Sequence, residues 1–247
     1  MRVVPVPCLK DNYAYLVIEG DLAAIVDPGE AAPIEAAVAR EGVQLVAIWA
    51  THHHADHVGG NAELIAKHPN IAVVAGERDA SKIAGVTEAL PDGGTFTLGA
   101  LRGTVIHNPA HTLGAITFVI EGAAFTGDTL FGGGCGRLFE GDAAMMHASL
   151  SRLAVLPPAT RVYFGHEYTA SNLRFAAAVE PDNADVAKRA ATLATPSCPS
   201  TIAVELATNP FLRVSHPAVI AAATGRGATD DPASVFGAIR SWKDGFK

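Results

Sequence analysis

One stretch of ten residues limits what this chain can become: Thr51-His52-His53-His54-Ala55-Asp56-His57-Val58-Gly59-Gly60. Four histidines and an aspartate fall within six positions, directly after the apolar run Leu45-Val46-Ala47-Ile48-Trp49-Ala50. Short apolar runs rich in β-branched and aromatic residues form buried strands. The polar stretch is then a loop at the carboxyl end of a strand, leading into a helix that starts near Gly59-Gly60. So many imidazoles bring no packing advantage, whereas imidazole and carboxylate together suit zinc, iron or manganese.

The spacing favours two ions. Alternate side chains of an extended segment point the same way. His52 and His54 can therefore grip one ion, while His53 points away into supporting or packing contacts. Asp56 and His57 follow where the chain bends and can face a neighbouring ion. Three more candidates each follow an apolar, strand-like run: His111 after Thr104-Val105-Ile106, Asp128 after Ala123-Ala124-Phe125, and His166 after Arg161-Val162-Tyr163. The sum assigns His52, His54 and His111 to the first ion and Asp56, His57 and His166 to the second, with Asp128 bridging. Asp27, in the turn Asp27-Pro28-Gly29, is a candidate to hydrogen-bond the metal loop from behind. Gly132-Gly133-Gly134 has no Lys-Ser/Thr after it and is not a phosphate loop; it is expected to let backbone approach the metals closely. Cys135 reads as a small packing residue beside that turn.

This ligand set resembles that of the metallo-β-lactamase superfamily. Further stretches narrow the resemblance to the glyoxalase II family, the hydroxyacylglutathione hydrolases. They are Cys8-Leu9-Lys10-Asp11-Asn12-Tyr13, Gly127-Asp128-Thr129-Leu130-Phe131, Cys135-Gly136-Arg137-Leu138-Phe139-Glu140-Gly141, Gly165-His166-Glu167-Tyr168-Thr169, Asn209-Pro210-Phe211-Leu212-Arg213 and Arg240-Ser241-Trp242-Lys243-Asp244. The resemblance implies an α+β fold, an αββα metallo-β-lactamase-like sandwich with a C-terminal helical domain. It implies hydrolysis of S-D-lactoylglutathione to D-lactate and glutathione, a step of methylglyoxal detoxification. It also implies four substrate-binding positions: Arg137, Tyr168, Arg240 and Lys243. Arg240 and Lys243 stand three apart on a predicted helix and share a face, which suits a glutathione carboxylate. Three positions depart from one form of the family. Arg137 stands where some members have lysine, Phe139 where they have tyrosine, and Ala110 in place of the usual glycine before His111. Phe139 has no hydroxyl to donate and stays outside the binding set. Ala110 is expected to shift its loop slightly.

Two divalent ions roughly 3.5–4 Å apart share a water and lower its pKa from ~15.7 towards ~7, so a bridging hydroxide attacks at neutral pH. Asp56 and Asp128 are the candidate catalytic residues, Asp56 orienting the hydroxide and Asp128 bridging the ions. The leaving thiolate is stable near its ordinary pKa of ~8.5 and needs no strong general acid. Zinc is the expected metal, with iron and manganese accepted by the same donors. The rival readings are a mononuclear-iron glutathione persulfide dioxygenase, against which Arg240 and Lys243 count, and a non-catalytic metal-dependent binding module.

Composition sets the remaining bounds. A chain of 247 residues with 49% hydrophobic content is not disordered and can bury a sizeable core. No apolar run approaches the ~20 residues of a membrane span, and Met1-Arg2-Val3-Val4-Pro5-Val6 reads as a strand, not a secretion signal. Three widely spaced cysteines suggest a reducing compartment. The expectation is a cytoplasmic monomer. A net charge of −7 argues against nucleic acid as partner. The charge is uneven: residues 1–170 hold 10 Lys+Arg and 18 Asp+Glu, residues 171–247 hold 8 and 7. After Tyr168 the pattern turns to helices, so a catalytic domain over 1–170 is expected to be followed by a helical substrate-binding domain over 171–247, whose more basic balance suits an anionic glutathione thioester. The pattern predicts core strands at 2–6, 14–19, 22–26, 45–50, 71–75, 96–98, 104–107, 116–120, 123–126 and 161–164. Helices are predicted at 32–40, 61–67, 145–153, 169–179, 185–194 and 232–242, the last capped by Asp230 or Asp231.

Overall fold

A computed structural model describes residues 1–246. The chain opens with an antiparallel meander, β1 (Arg2–Cys8), β2 (Asn12–Glu19) and β3 (Leu22–Val26). Helix α1 (Ala31–Glu41) crosses over to β4 (Gln44–Ala50), which pairs parallel with β3. The helix stops at Gly42, whose left-handed φ of 65° closes it with two backbone bonds, the usual use of glycine there. Two short helices, α2 (Ala55–Val58) and α3 (Asn61–Lys67), lead to β5 (Ala72–Gly76), and β6 (Glu88–Leu90) completes a six-stranded sheet.

The second sheet follows. Strands β7 (Thr95–Leu98), β8 (Leu101–His107), β9 (Ile116–Ile120) and β10 (Ala123–Gly127) run antiparallel in chain order. A hairpin of β11 (Leu130–Phe131) and β12 (Gly134–Cys135) and helix α4 (Ala143–Ala154) precede β13 (Arg161–Phe164), which pairs parallel with β10. The tail is helical: α5 (Thr169–Val179), α6 (Ala184–Ala191), α7 (Ile202–Thr208), α8 (Pro217–Thr224) and α9 (Pro232–Gly245). Asp231 caps α9 by accepting from Ser234 N. One tail segment, β14 (Ser200–Thr201), returns to pair with β13 at the sheet edge.

Strand alternation decides the layers. Tyr15 and Val17 of β2 face the second sheet, joining Trp49, Phe96, Phe118 and Phe125 in one core; Leu16 and Ile18 face outward under Ile34 and Val38 of α1 and Leu64 of α3. Tyr163 stacks on Phe125 at 5.0 Å between the sheets, so its neighbours Val162 and Phe164 point to the other face. The αββα sandwich expected from the sequence is thus the fold, with α4 packed against α9 on its far side.

The predicted strands and helices are present, most with ends within two residues of those expected; α6 stops at Ala191, three residues short of the predicted 194. Strands β6, β14, β11 and β12 and helices α7 and α8 escaped the pattern, and so did α2, which carries Asp56 and His57 inside the stretch read as a loop, ahead of the helix expected to start near Gly59-Gly60. Strands β6 and β14 are only three and two residues long. Helix α8, Pro-Ala-Val-Ile-Ala-Ala-Ala-Thr, is apolar on every side and shows no helical period.

Ala110 is buried with φ of 142°, a backbone conformation in which a Cβ is strained. Ala110→Gly relieves that strain but frees the unfolded chain by about 0.4–1 kcal/mol. The net expectation is a gain of about 1 kcal/mol, read as a rise in Tm of roughly 2–4 °C. A fall in Tm would show that Ala110 is unstrained.

Candidate active site

Every candidate metal-binding side chain sits just past the carboxyl end of a strand. His52, His54, Asp56 and His57 follow β4, His111 follows β8, Asp128 follows β10 and His166 follows β13. The two sheets bring these ends to one edge of the sandwich.

There the side chains form two groups. His52 Nε2 and His111 Nε2 lie 3.1 and 3.0 Å from His54 Nδ1. Asp56, His57 and His166 form the other group, with His57 Nε2 and His166 Nε2 3.3 Å apart and Asp56 Oδ2 3.6 and 3.4 Å from them. Asp128 stands between the groups. Its Oδ1 is 3.3 Å from His57 Nε2, and its Oδ2 is 3.4 Å from His111 Nε2 and 3.3 Å from His166 Nε2. Ligand atoms about 2.0–2.1 Å from a tetrahedral ion stand about 3.3 Å from one another. The observed spacings match that edge length. Bare ring nitrogens aimed at each other, and an Asp128 Oδ1 buried without a hydrogen-bond partner, are what a cation site looks like and what a hydrogen-bonded core avoids. The two triads, with Asp128 shared, fit two divalent ions.

The opposite ring nitrogens of His52, His57, His111 and His166 are occupied, which fixes the direction of those rings. His57 Nδ1 meets Asp27 Oδ2 at 3.0 Å, and His166 Nδ1 meets Asp11 Oδ1 at 2.8 Å. His111 Nδ1 meets the Arg137 carbonyl at 3.0 Å, and His52 Nδ1 meets Thr51 Oγ1 at 3.0 Å. Asp27 also accepts from Thr51 N at 2.7 Å and Thr51 Oγ1 at 2.6 Å, tying the turn after β3 to the metal loop. Asn12 Nδ2 donates to Asp56 Oδ2 at 3.0 Å. Asp27 and the turned-away His53 take the places the sequence suggested. Asp11, Asn12 and Thr51 are supports that no sequence pattern marks as such; no spacing rule joins Asp11 to a histidine 155 residues away.

Charge follows the same division. Burial pushes His52, His54 and His111 below the ordinary imidazole range, leaving them neutral and ready to donate a lone pair. Burial also opposes charge on His57 and His166, but the Asp128 carboxylate outweighs it, helped by Asp27 and Asp56 respectively. His57 is held well above its usual value and His166 is pushed up to about 10. The pocket of carboxylates around them calls for positive charge.

A cavity of about 800 Å³ opens over both groups. Arg137, Tyr168, Arg240 and Lys243 all line it. Tyr168 lies flat on His166, ring centroids 4.9 Å apart. Arg240 is buried, donating through Nη1 to the Cys135 carbonyl at 3.0 Å and through Nη2 to Asp244 at 3.0 Å. Lys243 Nζ reaches Ser171 at 3.4 Å. Burial, then the positive charges of Arg240 and Arg174, pushes its pKa down to about 8. Cys135 is buried and its thiol is pushed up to about 11, chiefly by burial, so it is a poor nucleophile at neutral pH. Phe139 also lines the cavity, with its ring 5.5 Å from His54 and 5.2 Å from His111; the lack of a hydroxyl led sequence reasoning past it.

The glycine triplet has a different use from the one expected. A Cβ on Gly132 would strike Thr169 and one on Gly134 would stand 2.5 Å from Asn172, so these glycines admit α5, not the metals. Tail side chains then hold the hairpin: Asn172 donates to Gly132 O at 3.1 Å, Asn209 to Gly134 O at 2.9 Å, and Glu205 accepts from Gly133 N at 2.7 Å. The glycines that approach the site are Gly136, against the Asp128 carbonyl, and Gly165, against the Asp128 carboxylate.

Comparison with known proteins agrees with this geometry. Residues 10–166 match the metallo-beta-lactamase superfamily and residues 167–246 match the hydroxyacylglutathione hydrolase C-terminus. A hydroxyacylglutathione hydrolase of Alkalilimnicola ehrlichii is 49% identical, covering 98% of each chain. One from Gloeobacter violaceus is 49% identical over the full length of both. The chain belongs to the hydroxyacylglutathione hydrolase family. Among solved structures, TTHA1623 in a di-iron-bound form superposes with a TM-score of 0.64 at 29% identity, covering 85% of this chain and 100% of that one. ETHE1 from Myxococcus xanthus shares the fold, with a TM-score of 0.70 at 23% identity over 98% of this chain and 90% of that one. No helix among the described residues of this family member is long and apolar enough to cross a membrane.

Proposed function

We propose that the chain hydrolyses 2-hydroxyacyl-glutathione thioesters, S-D-lactoylglutathione foremost, to the hydroxy acid and glutathione, as a cytoplasmic monomer in methylglyoxal detoxification. The observation that carries this reading is the pair of triads sharing Asp128 beneath a cavity lined by Arg240 and Lys243. The names of the relatives and the two irons of TTHA1623 support it. His52, His54 and His111 hold one ion, Asp56, His57 and His166 the other, and Asp128 both. Zinc is the metal we assign, since the donors suit it as well as iron or manganese.

When bound, the ions supply a water of lowered pKa and polarise the thioester carbonyl. The chain's residues do the rest. Asn12 holds Asp56, whose Oδ2 stands 3.6 and 3.4 Å from Nε2 of His57 and His166. Asp128, well below the usual carboxylate range beside His57 and His166 despite its burial, stays ionised throughout. The departing thiolate leaves without a donated proton. Residues 171–247 form the substrate-binding domain on this reading, with Arg240 and Lys243 placing positive charge for the glutathione carboxylates and Arg137 and Tyr168 completing the wall.

Lys243 gives a pH signature. Its folded pKa lies below that of a free lysine, so the side chain is charged below about 8 and loses its charge as pH rises through that value. KM for the thioester should therefore climb above pH 8 with kcat nearly constant. Lys243→Ala should raise KM roughly 10-fold below pH 8 and flatten the climb. An unchanged KM removes Lys243 from the site. The reading as a whole is tested by comparing thiol release from S-D-lactoylglutathione with oxygen consumption on glutathione persulfide. Release without oxygen uptake supports it; the reverse pattern replaces it with the dioxygenase reading.

A further inference from the structure

A polar cluster stands behind the first triad, and neither Asp79 nor Glu140 at its core lines the cavity that the proposed reaction uses. Its centre is Asp79, buried at the start of the 3-10 turn Ala80–Lys82 after β5. Asp79 Oδ2 meets His53 Nδ1 at 2.9 Å and accepts from Thr112 Oγ1 at 3.1 Å. Each partner is a chain neighbour of one donor of the first triad: His53 precedes His54, and Thr112 follows His111. Gly114 presses on the same carboxylate; a Cβ there would stand 2.8 Å from Asp79 Cβ. Glu140 closes the cluster. Its Oε2 accepts from Leu113 N at 2.6 Å, and its Oε1 faces Lys82 Nζ at 3.3 Å and His53 Nε2 at 3.7 Å. Four segments, each remote from the others in sequence (His53, Asp79 to Lys82, Thr112 to Gly114, and Glu140), thus meet around one carboxylate pair.

The second triad is anchored by other residues. Asp11 holds His166, Asn12 holds Asp56 and Asp27 holds His57. None of these reaches His54 or His111, and Asp79 reaches none of the second group. A buried charge with two directed hydrogen bonds fixes its partners far more tightly than apolar packing does.

We propose that Asp79 is a positioning residue for the first metal alone, setting His54 and His111 through His53 and Thr112, while Asp11 serves the second. Asp128 and the Asp27–Thr51–His52 chain are common to both sites, so the share of each affinity that Asp79 or Asp11 sets is what can be adjusted separately. This inference rests on the reading that the two triads hold two ions.

The test is metal stoichiometry by equilibrium dialysis against graded zinc, followed by elemental analysis, on the whole chain. Asp79→Ala and Asp79→Asn are measured with Asp11→Ala and the Asp79→Ala/Asp11→Ala double variant. Asparagine keeps the size and one acceptor, and serves if alanine fails to fold. Loss of an outer support typically weakens metal binding by about 10–100-fold. The expected result is one ion weakened by that factor in Asp79→Ala, the other unchanged, and a smaller effect in Asp79→Asn. Asp11→Ala should weaken one ion, and the double variant both, since the supports are independent. Equal weakening of both ions by Asp79→Ala shows a general structural role and overturns the proposal. So does a double variant that still holds one ion tightly, because both supports would then serve the same site. A wild-type chain that never binds two ions sinks the two-ion reading itself, and this proposal with it.

Discussion

Asp128→Ala should lower thioester hydrolysis by roughly 1,000-fold or more, and bound metal should fall from two ions to one or none. The expectation follows from position. Asp128 stands within 3.4 Å of donors from both triads, reaching His57, His111 and His166. Without it, His111 and His166 face each other with no anion between them, and neither triad has a fourth protein ligand. Folding should survive, since Asp128 makes no hydrogen bond that holds the sheets together. Elemental analysis and kcat measured on the same preparation check this. A variant that keeps two ions at full affinity would remove Asp128 from its bridging place.

Gly165→Ala should be nearly as damaging although glycine carries no functional group. The added Cβ would strike the Asp128 carboxylate and stand 2.7 Å from His57 Cε1. Neither neighbour is a loose side-chain end. His57 is fixed by Asp27, and Asp128 by the shape of the turn after β10. Crowding of this kind costs about 1–3 kcal/mol of stability. Displacing a donor should weaken metal binding by about 10–100-fold or more. The expected result is a modest fall in Tm with a large fall in kcat, restored in part by excess metal. Normal turnover with normal metal content would mean that the site yields more readily than the close approach suggests.

The same residues show where sequence reading succeeds and where it stops. The convergence of the seven metal candidates could be read because each follows a run that must be a buried strand, and strand ends of a two-sheet fold meet at one edge. The assignment to two groups came from alternation along 52–54, which the loop obeys. What alternation does not reveal is which ring nitrogen points inward. His54 offers Nδ1 while His52 and His111 offer Nε2. That choice depends on partners such as Thr51 and the Arg137 carbonyl, supplied by the fold and not by spacing. Asp11 and Asp79 were hidden for the same reason, since each meets its histidine across a contact between distant loops. The glycine triplet misled because close approach is visible in a sequence only as glycine. Whether metal, ligand or helix approaches is a property of the packed chain, and here it is α5. Asn209 shows the converse: its stretch resembled the family's, yet its work, holding the Gly132–Gly134 hairpin, appears only in the structure.

The most direct test of the central claim is thiol release from S-D-lactoylglutathione by the purified chain, as isolated, after chelation, and after zinc is restored. Rapid release is expected, lost on chelation and regained when about two ions per chain are bound. A chain with both sites filled that releases no thiol would contradict it.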